Sequence, residues 1–262
     1  MKLWLDANDI KGDATTVFND GNSVGYWADK SLFGQNAYVI TGTPTYASVS
    51  SKNSVFQKGS IYFDGSSSYT FNLGFLNNSD YTFFVVYSSS IYNNNTVSPF
   101  STSNNKQSWV MYAGTGADKN QAFQVGPRMI GNVFTQYWGH NQNDTSVSVA
   151  EQPLTNQLNK QSPYIVMGAF NQANATRTLL VRSNNGLAAK SDYVGGTTGQ
   201  ALSTLTTTNG KIASCSSVSS SLCNGYRGYI AEIIFYTRTL TIAEQKQVEG
   251  YLLRKWFSGE CQ

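Results

Sequence analysis

Charged residues are scarce in this sequence of 262 residues: Asp, Glu, Lys and Arg together make up 13% of it, about half of the usual share. The formal net charge is only +3. The basic residues are scattered, and no run of Lys and Arg is suited to following a phosphate backbone. The composition therefore argues against nucleic acid as a partner, and against any partner held mainly by electrostatics.

Histidine occurs once and cysteine three times. Because no two cysteines have C-x-x-C spacing, a Cys/His zinc site is excluded. Cys215 and Cys223 lie in S-C-S-S-V-S-S-S-L-C and could close a small disulfide loop in an oxidising compartment. The alternative is two unpaired thiols in a surface loop. Cys261 either stays free or pairs between chains.

Long apolar runs are also missing. No run approaches the roughly 18 residues that a membrane-spanning helix needs, so we expect no membrane insertion. The first strand is predicted to begin at Leu3, which leaves no room for a signal peptide. We expect an extracellular or surface-exposed location, and without a signal peptide the protein would reach it either as part of a larger protein or by assembly, as a virion protein would.

Aromatic residues, by contrast, are abundant at 13% of the chain, and most of the remainder is Ser, Thr, Asn and Gly. This mixture is typical of many short strands joined by turns. The segment 81–87 is continuously apolar and aromatic, which predicts a central strand. Further strands are predicted at 2–7, 60–65, 108–113, 121–125, 133–138, 164–170, 178–182 and 228–236. The segment that follows the first strand, to about Tyr46, is predicted to be rich in turns. An Asp-Gly turn after the 60–65 strand favours positive φ at Gly65.

One segment, about 241–257, is predicted to be helical. Thr241 is a good N-cap, and Glu244 three residues later completes a capping box. Val248, Leu252 and Trp256 recur every four residues, so the helix is amphipathic. Its apolar stripe is expected to pack on the outside of a sheet.

Both ends of the chain carry motifs of a known family. The first end has L-W-L-D-A at 3–7, W-A-D-K-S at 27–31 and Y-F-D-G at 62–65, and the second has G-Y-I-A-E-I-I-F-Y-T-R-T-L at 228–240, followed by the capped helix. In order and spacing these motifs resemble the concanavalin A-like lectin superfamily, and within it the laminin-G-like domains. The resemblance implies an all-β fold: a two-sheet antiparallel jelly-roll sandwich with one C-terminal amphipathic helix, forming a single domain over 1–262. Residues 88–225 carry no motif of that family.

The residues in these motifs are expected to have structural roles. Trp4 and Trp27 are predicted to pack in the core. Three aspartates are expected to accept hydrogen bonds from nearby backbone N–H groups: Asp6, Asp29 and Asp64. Glu232 lies in an otherwise apolar strand and is expected either to pair with Arg238 or Arg254 or to face solvent.

Relatives of this fold include glycoside hydrolases and polysaccharide lyases, but the corresponding motifs are missing. Retaining glycosidases need two carboxylates about 5 Å apart, and no E-x-D-x-E cluster occurs. The acidic residues between 81 and 229 all fall in predicted loops: Asp118, Asp144, Glu151 and Asp192. There is no G-x-S-x-G nucleophile elbow and no phosphate-binding loop. Tyr137, His140 and Arg128 are a weak match to a lyase set, so a carbohydrate-active enzyme with a noncanonical site stays an alternative.

A binding site is predicted where aromatic and amide side chains concentrate, in F-T-Q-Y-W-G-H-N-Q-N-D at 134–144. The candidate ligand-binding residues are Tyr137, Trp138, His140 and Asn141, supported by Tyr112 and Arg128. The alternative is that Trp138 belongs to the core and that the rest is an ordinary polar loop. No dense metal-ligand loop is present, so no cofactor is predicted. Asp144 with Asn141 and Asn143 is a weak candidate for Ca²⁺.

These observations favour a non-catalytic, surface-displayed binding or adhesion module that recognises a glycan or glycoprotein. The alternative from another class is a structural protein of a virion, fibre or surface layer, which would dock other subunits of a larger assembly.

Overall fold

The structure is a computed structural model that describes residues 1–49, 56–89, 107–114, 122–130, 133–140, 152–153, 163–174, 176–183, 186–194, 201–203, 205, 210–214 and 223–257. Within these residues, two β-sheets pack face to face and one helix covers the outside of one of them. The predicted all-β, two-sheet jelly-roll sandwich with a C-terminal helix is confirmed.

The first sheet has eight strands among the described residues, in the order β15-β14-β13-β7-β18-β5-β4, with β1 paired to β18. Its strands, numbered in chain order, are β1 (Leu3–Asp6), β4 (Thr45–Ala47), β5 (Ser60–Asp64), β7 (Tyr81–Ser89), β13 (Tyr164–Asn171), β14 (Thr176–Ser183), β15 (Gly186–Val194) and β18 (Arg227–Tyr236). The predicted central strand is confirmed, since β7 lies between β13 and β18.

The second sheet has ten strands among the described residues, in the order β12-β11-β10-β9-β16-β6-β3-β2, and β8 joins it through β10 and β17. Its strands are β2 (Tyr26–Trp27), β3 (Ala37–Thr41), β6 (Ser68–Phe71), β8 (Gln107–Ser108), β9 (Met111–Gly114), β10 (Ala122–Ile130), β11 (Val133–His140), β12 (Gln152–Pro153), β16 (Gly210–Ile212) and β17 (Cys223–Asn224). All pairs are antiparallel except β8 with β17.

Aromatic rings from the two sheets meet in the interior. Phe83 of β7 packs edge-on against Phe123 of β10 and Trp138 of β11, with centroids 5.3 and 5.5 Å apart. Phe235 of β18 contacts both Phe83 and Phe123. Edge-to-face contacts of this kind suit the negative faces and positive edges of aromatic rings. The aromatic-rich composition is therefore used largely to fill the space between the sheets.

Several sequence predictions needed correction. The turn-rich segment contains β2, β3 and β4, and the predicted strand 108–113 is divided into β8 and β9. Asp192 lies in β15 and not in a loop. Strand propensity alone missed β2, β3 and β4 because they are short and are stabilised by pairing with other strands. β15 was missed although it has nine residues, because its sequence is rich in Gly, Ala, Ser and Lys, which are weak strand formers.

Helix α1 spans Ile242–Trp256, and the predicted capping box is confirmed. The Thr241 side chain accepts from the Glu244 N–H, and the Glu244 carboxylate accepts from the Thr241 N–H. Leu252 and Trp256 are buried, whereas Val248 is half-buried. Arg182 of β14 forms a 2.8 Å ion pair with Glu249 of α1. The helix therefore covers the outer face of the eight-stranded sheet.

Glu232 anchors this helix. It lies on β18 and is fully buried, and its carboxylate accepts hydrogen bonds from Trp4 Nε1 (2.6 Å), Tyr251 hydroxyl (2.9 Å) and Trp256 Nε1. Lys255 Nζ lies 2.9 Å from the same carboxylate. One buried acid thus connects β1, β18 and α1.

The predicted environment of Glu232 was wrong. The side chain does not face solvent, and its cationic partner is Lys255, not Arg238 or Arg254. Arg238 pairs instead with Glu244 at the start of α1. The sequence pattern could not distinguish Arg254 from Lys255, because adjacent residues point about 100° apart around a helix and the packing of α1 decides which of them reaches β18.

The aspartates of the terminal motifs hold turns, as predicted. Asp29 accepts from the backbone N–H groups of Trp4, Ser31 and Gln35. Asp6 accepts from the N–H of Asn8. Trp27 is fully buried, as expected, whereas Trp4 is half-buried under α1.

The turn after β5 is held by Asp64, whose carboxylate accepts from Ser66 and Ser67 through both their N–H and hydroxyl groups. Gly65 has φ +92 there, as its position predicts. Burial acts to raise the pKa of Asp64, but these hydrogen bonds outweigh it and lower the pKa from 3.8 to about 2.

We expect Asp64→Asn to reduce the free energy of unfolding at pH 7 by about 1–2 kcal/mol, because an amide replaces a charged acceptor. A depressed folded-state pKa contributes stability above the unfolded value, and that stability is lost as pH falls through the folded value. Urea unfolding at pH 7 and pH 2.5 should therefore show a smaller deficit for the variant at the lower pH. An equal deficit at both pH values would contradict this role for the carboxylate.

Candidate functional site

The outer face of the ten-stranded sheet carries a row of polar and aromatic side chains. Strand alternation turns one set of residues inward, including Ala37, Tyr69 and Ile212, which are fully buried. The residues between them point to the opposite face. Those on directly paired positions form the outer row: Tyr26, Tyr38, Thr70, Lys211, Tyr112 and Gln124.

The outer row is open at one end and closed at the other. Tyr38 is 53% exposed, whereas Tyr112 and Gln124 are each 2% exposed. Tyr26, Thr70 and Lys211 are intermediate. We call the accessible half, made of Tyr26, Tyr38, Thr70 and Lys211, the open platform. A ligand approaching from solvent would meet this half of the row.

Two tyrosines form the aromatic part of the open platform. The rings of Tyr26 and Tyr38 are stacked, with centroids 6.0 Å apart and planes 21° apart. Lys11 Nζ lies 4.2 Å from the centroid of the Tyr26 ring, a cation–π contact that steadies the ring. Asn36 Nδ2 donates to the Tyr38 hydroxyl at 3.3 Å. The rings are therefore positioned before any ligand arrives.

Sequence reasoning missed Tyr26 and Tyr38, since it assigned both to the turn-rich segment. The run A-Y-V-I-T at 37–41 is rich in aromatic and β-branched residues, which is the composition of a strand and the signal that could have identified β3. Ile40 is 46% exposed beside Tyr38. An exposed aromatic and an exposed aliphatic residue on alternate positions mark a strand face that the core does not cover.

Trp138 and His140, two of the predicted ligand-binding residues, are fully buried. Both belong to β11 and point between the sheets, where Trp138 packs against Tyr81 and Phe83. A side chain in this position cannot stack on a ligand from solvent, so the expectation of an exposed ligand face is corrected for both residues. The alternative interpretation of Trp138 as core matches its burial.

Tyr112 lies on the outer row but is covered. It forms a small apolar cluster with Trp109 and Ala122, separate from the main core. Tyr112 is therefore placed beside the open platform, with Lys211 as its direct strand partner, and it is not itself accessible. Its expected role as a contact residue is corrected to that of a buried neighbour of the platform.

The remaining predicted residues stay predictions. Position 137 pairs with Gly126 and position 128 with Thr135 in the ten-stranded sheet, but the side chains of Tyr137 and Arg128 are outside the described part of the structure, as is Asn141. The weak calcium candidates Asn143 and Asp144 also lie outside the described residues. Cys215 does too, and Cys223 is placed only by its backbone in β17, so the disulfide remains open.

His140 belongs to a buried polar cluster between the sheets. The hydroxyl of Tyr81 contacts His140 Nε2, and Arg177 Nη2 lies 3.2 Å from Nδ1. Since a guanidinium can only donate, Nδ1 is the acceptor and Nε2 carries the proton in a neutral ring. All three residues are at most 1% exposed. The Tyr81, His140 and Arg177 side chains therefore lie in the interior and are not exposed to solvent.

A separate small cleft of about 230 Å³ lies beside the 3₁₀ turn Ala7–Asp9. Phe18 and Tyr46 form its aromatic wall, with centroids 5.8 Å apart. Asn8, Thr15 and Thr16 supply polar groups. The cleft differs from the open platform because neither of its aromatic rings is exposed on a flat sheet face.

Two further observations concern metals and membranes. Among the described residues, no group of three or more His, Cys, Asp or Glu side chains is arranged to hold a metal ion. No helix in the described part of the chain is both long and apolar enough to cross a membrane.

Comparison with known proteins identifies the fold. Domain 4 of AbnA, a GH43 extracellular arabinanase from Geobacillus stearothermophilus solved with arabinotriose, superposes with a TM-score of 0.51 at 9% identity and covers 88% of this chain and 99% of that domain. The CBM40 domain of the Ruminococcus gnavus IT-sialidase bound to α2,3-sialyllactose gives 0.46 at 14% identity, covering 72% and 95%. The enzymatically active domain of tailspike protein 2 from bacteriophage CBA120 gives 0.48 at 11%, covering 86% and 30%.

The likeness to the arabinanase domain defines the class of protein as a β-sandwich. At such low identity it shows the fold alone. No protein-family model and no curated protein sequence matches the chain. The narrower laminin-G-like assignment therefore stays a prediction from the terminal motifs.

Proposed function

We propose that this protein is a glycan-binding module that holds a saccharide chain on the open platform of its ten-stranded sheet. The observation that carries the proposal is the stacked pair of Tyr26 and Tyr38 on an uncovered sheet face. The face of an aromatic ring is negative, so it attracts the C–H groups of a sugar ring. Hydroxyl and ammonium groups beside the rings are suited to the sugar hydroxyls.

The neighbouring residues of the open platform supply those polar groups. Thr70 is paired directly with Tyr38, and Lys211 is paired directly with Thr70. Adjacent strands lie about 4.8 Å apart, so Tyr38 and Lys211 are separated by about 10 Å across the sheet. That span suits an extended oligosaccharide better than a single sugar.

The fold comparison also supports a saccharide as the ligand. The arabinanase domain with the same sandwich was solved with arabinotriose, so this architecture is compatible with a saccharide site. The module is proposed to be non-catalytic and displayed on a surface, with a glycan or glycoprotein as its partner. Support for the non-catalytic role comes from the burial of the Tyr81, His140 and Arg177 set and of Glu232.

Tyr38→Ala tests the proposal. We expect it to weaken glycan binding by about 1–2 kcal/mol, roughly tenfold, because it removes the exposed stacking face. The measurement is a glycan array followed by calorimetric titration of the strongest binder, with and without calcium. Folding should be nearly unaffected, since most substitutions at exposed sites change stability by about 0.5 kcal/mol or less.

Ile242→Ala is the matched control. Ile242 is 72% exposed at the start of α1, on the other sheet of the sandwich, and its loss should leave binding unchanged. If Tyr38→Ala bound every array glycan as tightly as the parent protein, the open platform would not be the site. If the parent protein bound no glycan at all, the proposed function would be wrong and a structural or protein-docking role would replace it.

A further inference from the structure

The two sheets differ in the acidic residues that their strands carry. The described strands of the eight-stranded sheet contain four acidic residues: Asp6, Asp64, Asp192 and Glu232. The described strands of the ten-stranded sheet contain no Asp or Glu, and their basic residues are Arg128 and Lys211. Four basic residues balance these acids on the eight-stranded sheet: Arg177, Arg182, Lys190 and Arg227. The described strands of the sheet that carries the open platform have basic residues and no carboxylate.

Lys211 is the cation of the open platform. It lies on β16, a strand internal to the sheet, between Thr70 and Tyr112. No carboxylate of the described residues lies within ion-pairing distance of its ammonium group. Lys30 and Lys255, in contrast, each contact two carboxylates at 2.8 to 3.0 Å. Among the described residues, carboxylates thus neutralise those two partly buried lysines but not the lysine of the open platform.

Lys11 brings a second cation to the same surface. Its ammonium group lies over the Tyr26 ring, at the end of the open platform opposite Lys211, and no described carboxylate pairs with it. Cations therefore flank the stacked tyrosines on both sides. A cation held by an aromatic face keeps much of its capacity for an anion, because the ring neutralises no charge.

We propose that the ligand is an anionic glycan whose carboxylate or sulfate groups meet Lys211 and Lys11 while its sugar rings lie on Tyr38. This inference rests on the proposed function, since it specifies the chemical class of the glycan held by the open platform. An acid-free face around a lysine favours anions and disfavours cations. A neutral glycan would leave both ammonium groups without a charged partner.

The test is an array in which each sulfated or carboxylated glycan is printed beside its neutral parent. The parent protein should prefer the charged member of each pair that it binds, and that preference should shrink as ionic strength rises from 0.05 to about 0.5 M, where the Debye length falls well below 10 Å. Comparison of the sulfated with the carboxylated glycans shows which of the two anionic groups the site binds. Poly-glutamate is the probe for attraction by charge alone.

Lys211→Gln should weaken binding to the charged glycans roughly fivefold, and Lys211→Glu should weaken it further, while the neutral parents are little affected by Lys211→Gln. Lys246→Glu is the control, because it makes the same change in net charge at an exposed position of α1 on the other sheet. Thermal unfolding of each variant separates loss of binding from loss of fold.

Each result has one meaning. A charged-glycan preference lost in Lys211→Glu but kept in Lys246→Glu supports the inference. Equal binding of the charged and neutral glycans would overturn the inference and leave glycan binding without a preference for charge. Binding of poly-glutamate as tight as that of the charged glycans would also overturn it, and would leave attraction by charge alone. No binding to any glycan overturns the proposed function, and the inference with it.

Discussion

Trp138→Ala is expected to lower the free energy of unfolding by about 3–5 kcal/mol, the usual cost of removing a large aromatic side chain from a core. The indole is fully buried and packs between Tyr81 and Phe83. It also fills the space left by Gly168, where an added Cβ would lie 2.9 Å from Trp138 Cδ2. The cavity left by alanine would have no side chain positioned to close it.

Chemical denaturation followed by circular dichroism measures this loss. Trp138→Phe should cost less than Trp138→Ala, because it retains an aromatic ring against Phe83. Any loss of ligand binding in Trp138→Ala should follow the unfolded fraction, since the side chain is not on the open platform. A fully stable Trp138→Ala protein that had specifically lost glycan binding would show that Trp138 reaches the ligand after all.

Glu232→Ala is the second substitution with a large expected effect, about 3–5 kcal/mol of lost stability. It leaves Lys255 with Asp6 alone and removes the acceptor of the Trp4, Tyr251 and Trp256 donors. Removing one partner of a buried ion pair is costly because the other charge stays buried. Urea denaturation should also show earlier loss of helical signal, since this carboxylate anchors α1.

Arg238→Ala provides the comparison for an exposed ion pair. Arg238 contacts Glu244 at 2.6 Å, but both side chains are substantially exposed, and such pairs contribute about 1 kcal/mol or less. Glu232→Leu combined with Lys255→Met should recover much of the lost stability, because an apolar pair of similar volume can replace a buried ion pair. A Glu232→Ala protein as stable as Arg238→Ala would contradict the anchoring role.

The pH dependence of Glu232 has a definite sign. Burial raises the pKa of Glu232 above its ordinary value of 4.5, and Lys255 only partly opposes this. A group whose folded-state pKa is raised contributes stability below its unfolded pKa, and this is lost as pH rises through the folded value. Glu232→Gln should therefore flatten the decline in stability above pH 4.5. The pH dependence of the Asp64 contribution to stability has the opposite sign, because that contribution is lost as pH falls.

The binding residues were only partly predictable. Tyr112 was predicted to contact the ligand, but it is covered on the outer row by the cluster with Trp109. Trp138 and His140 were chosen for their chemistry, which is the same in a core and in a ligand site. Tyr26 and Tyr38 were missed because their strands are too short to show a strong period. Residue type identifies groups able to bind a sugar, but exposure decides which of them are free to do so.

The sequence by itself determined the class of fold and its C-terminal element. The apolar run at 81–87 predicted the central strand, the box of Thr241 and Glu244 predicted the start of α1, and the terminal motifs placed turn-holding aspartates. The strand and the start of the helix are local features, since each depends on residues within a few positions of one another, and Asp6 and Asp64 likewise accept from N–H groups two or three residues away. Local geometry and propensity therefore suffice to specify them.

Only the tertiary structure decided the composition of the open platform and the partner of Glu232. Tyr38, Thr70 and Lys211 are neighbours because strands far apart in sequence pair in one register. Alternation along a strand separates two faces but does not say which one meets the other sheet, and a shift of one residue would exchange them. The pairing of distant strands fixes that choice, and with it which tyrosines and which lysine face solvent together.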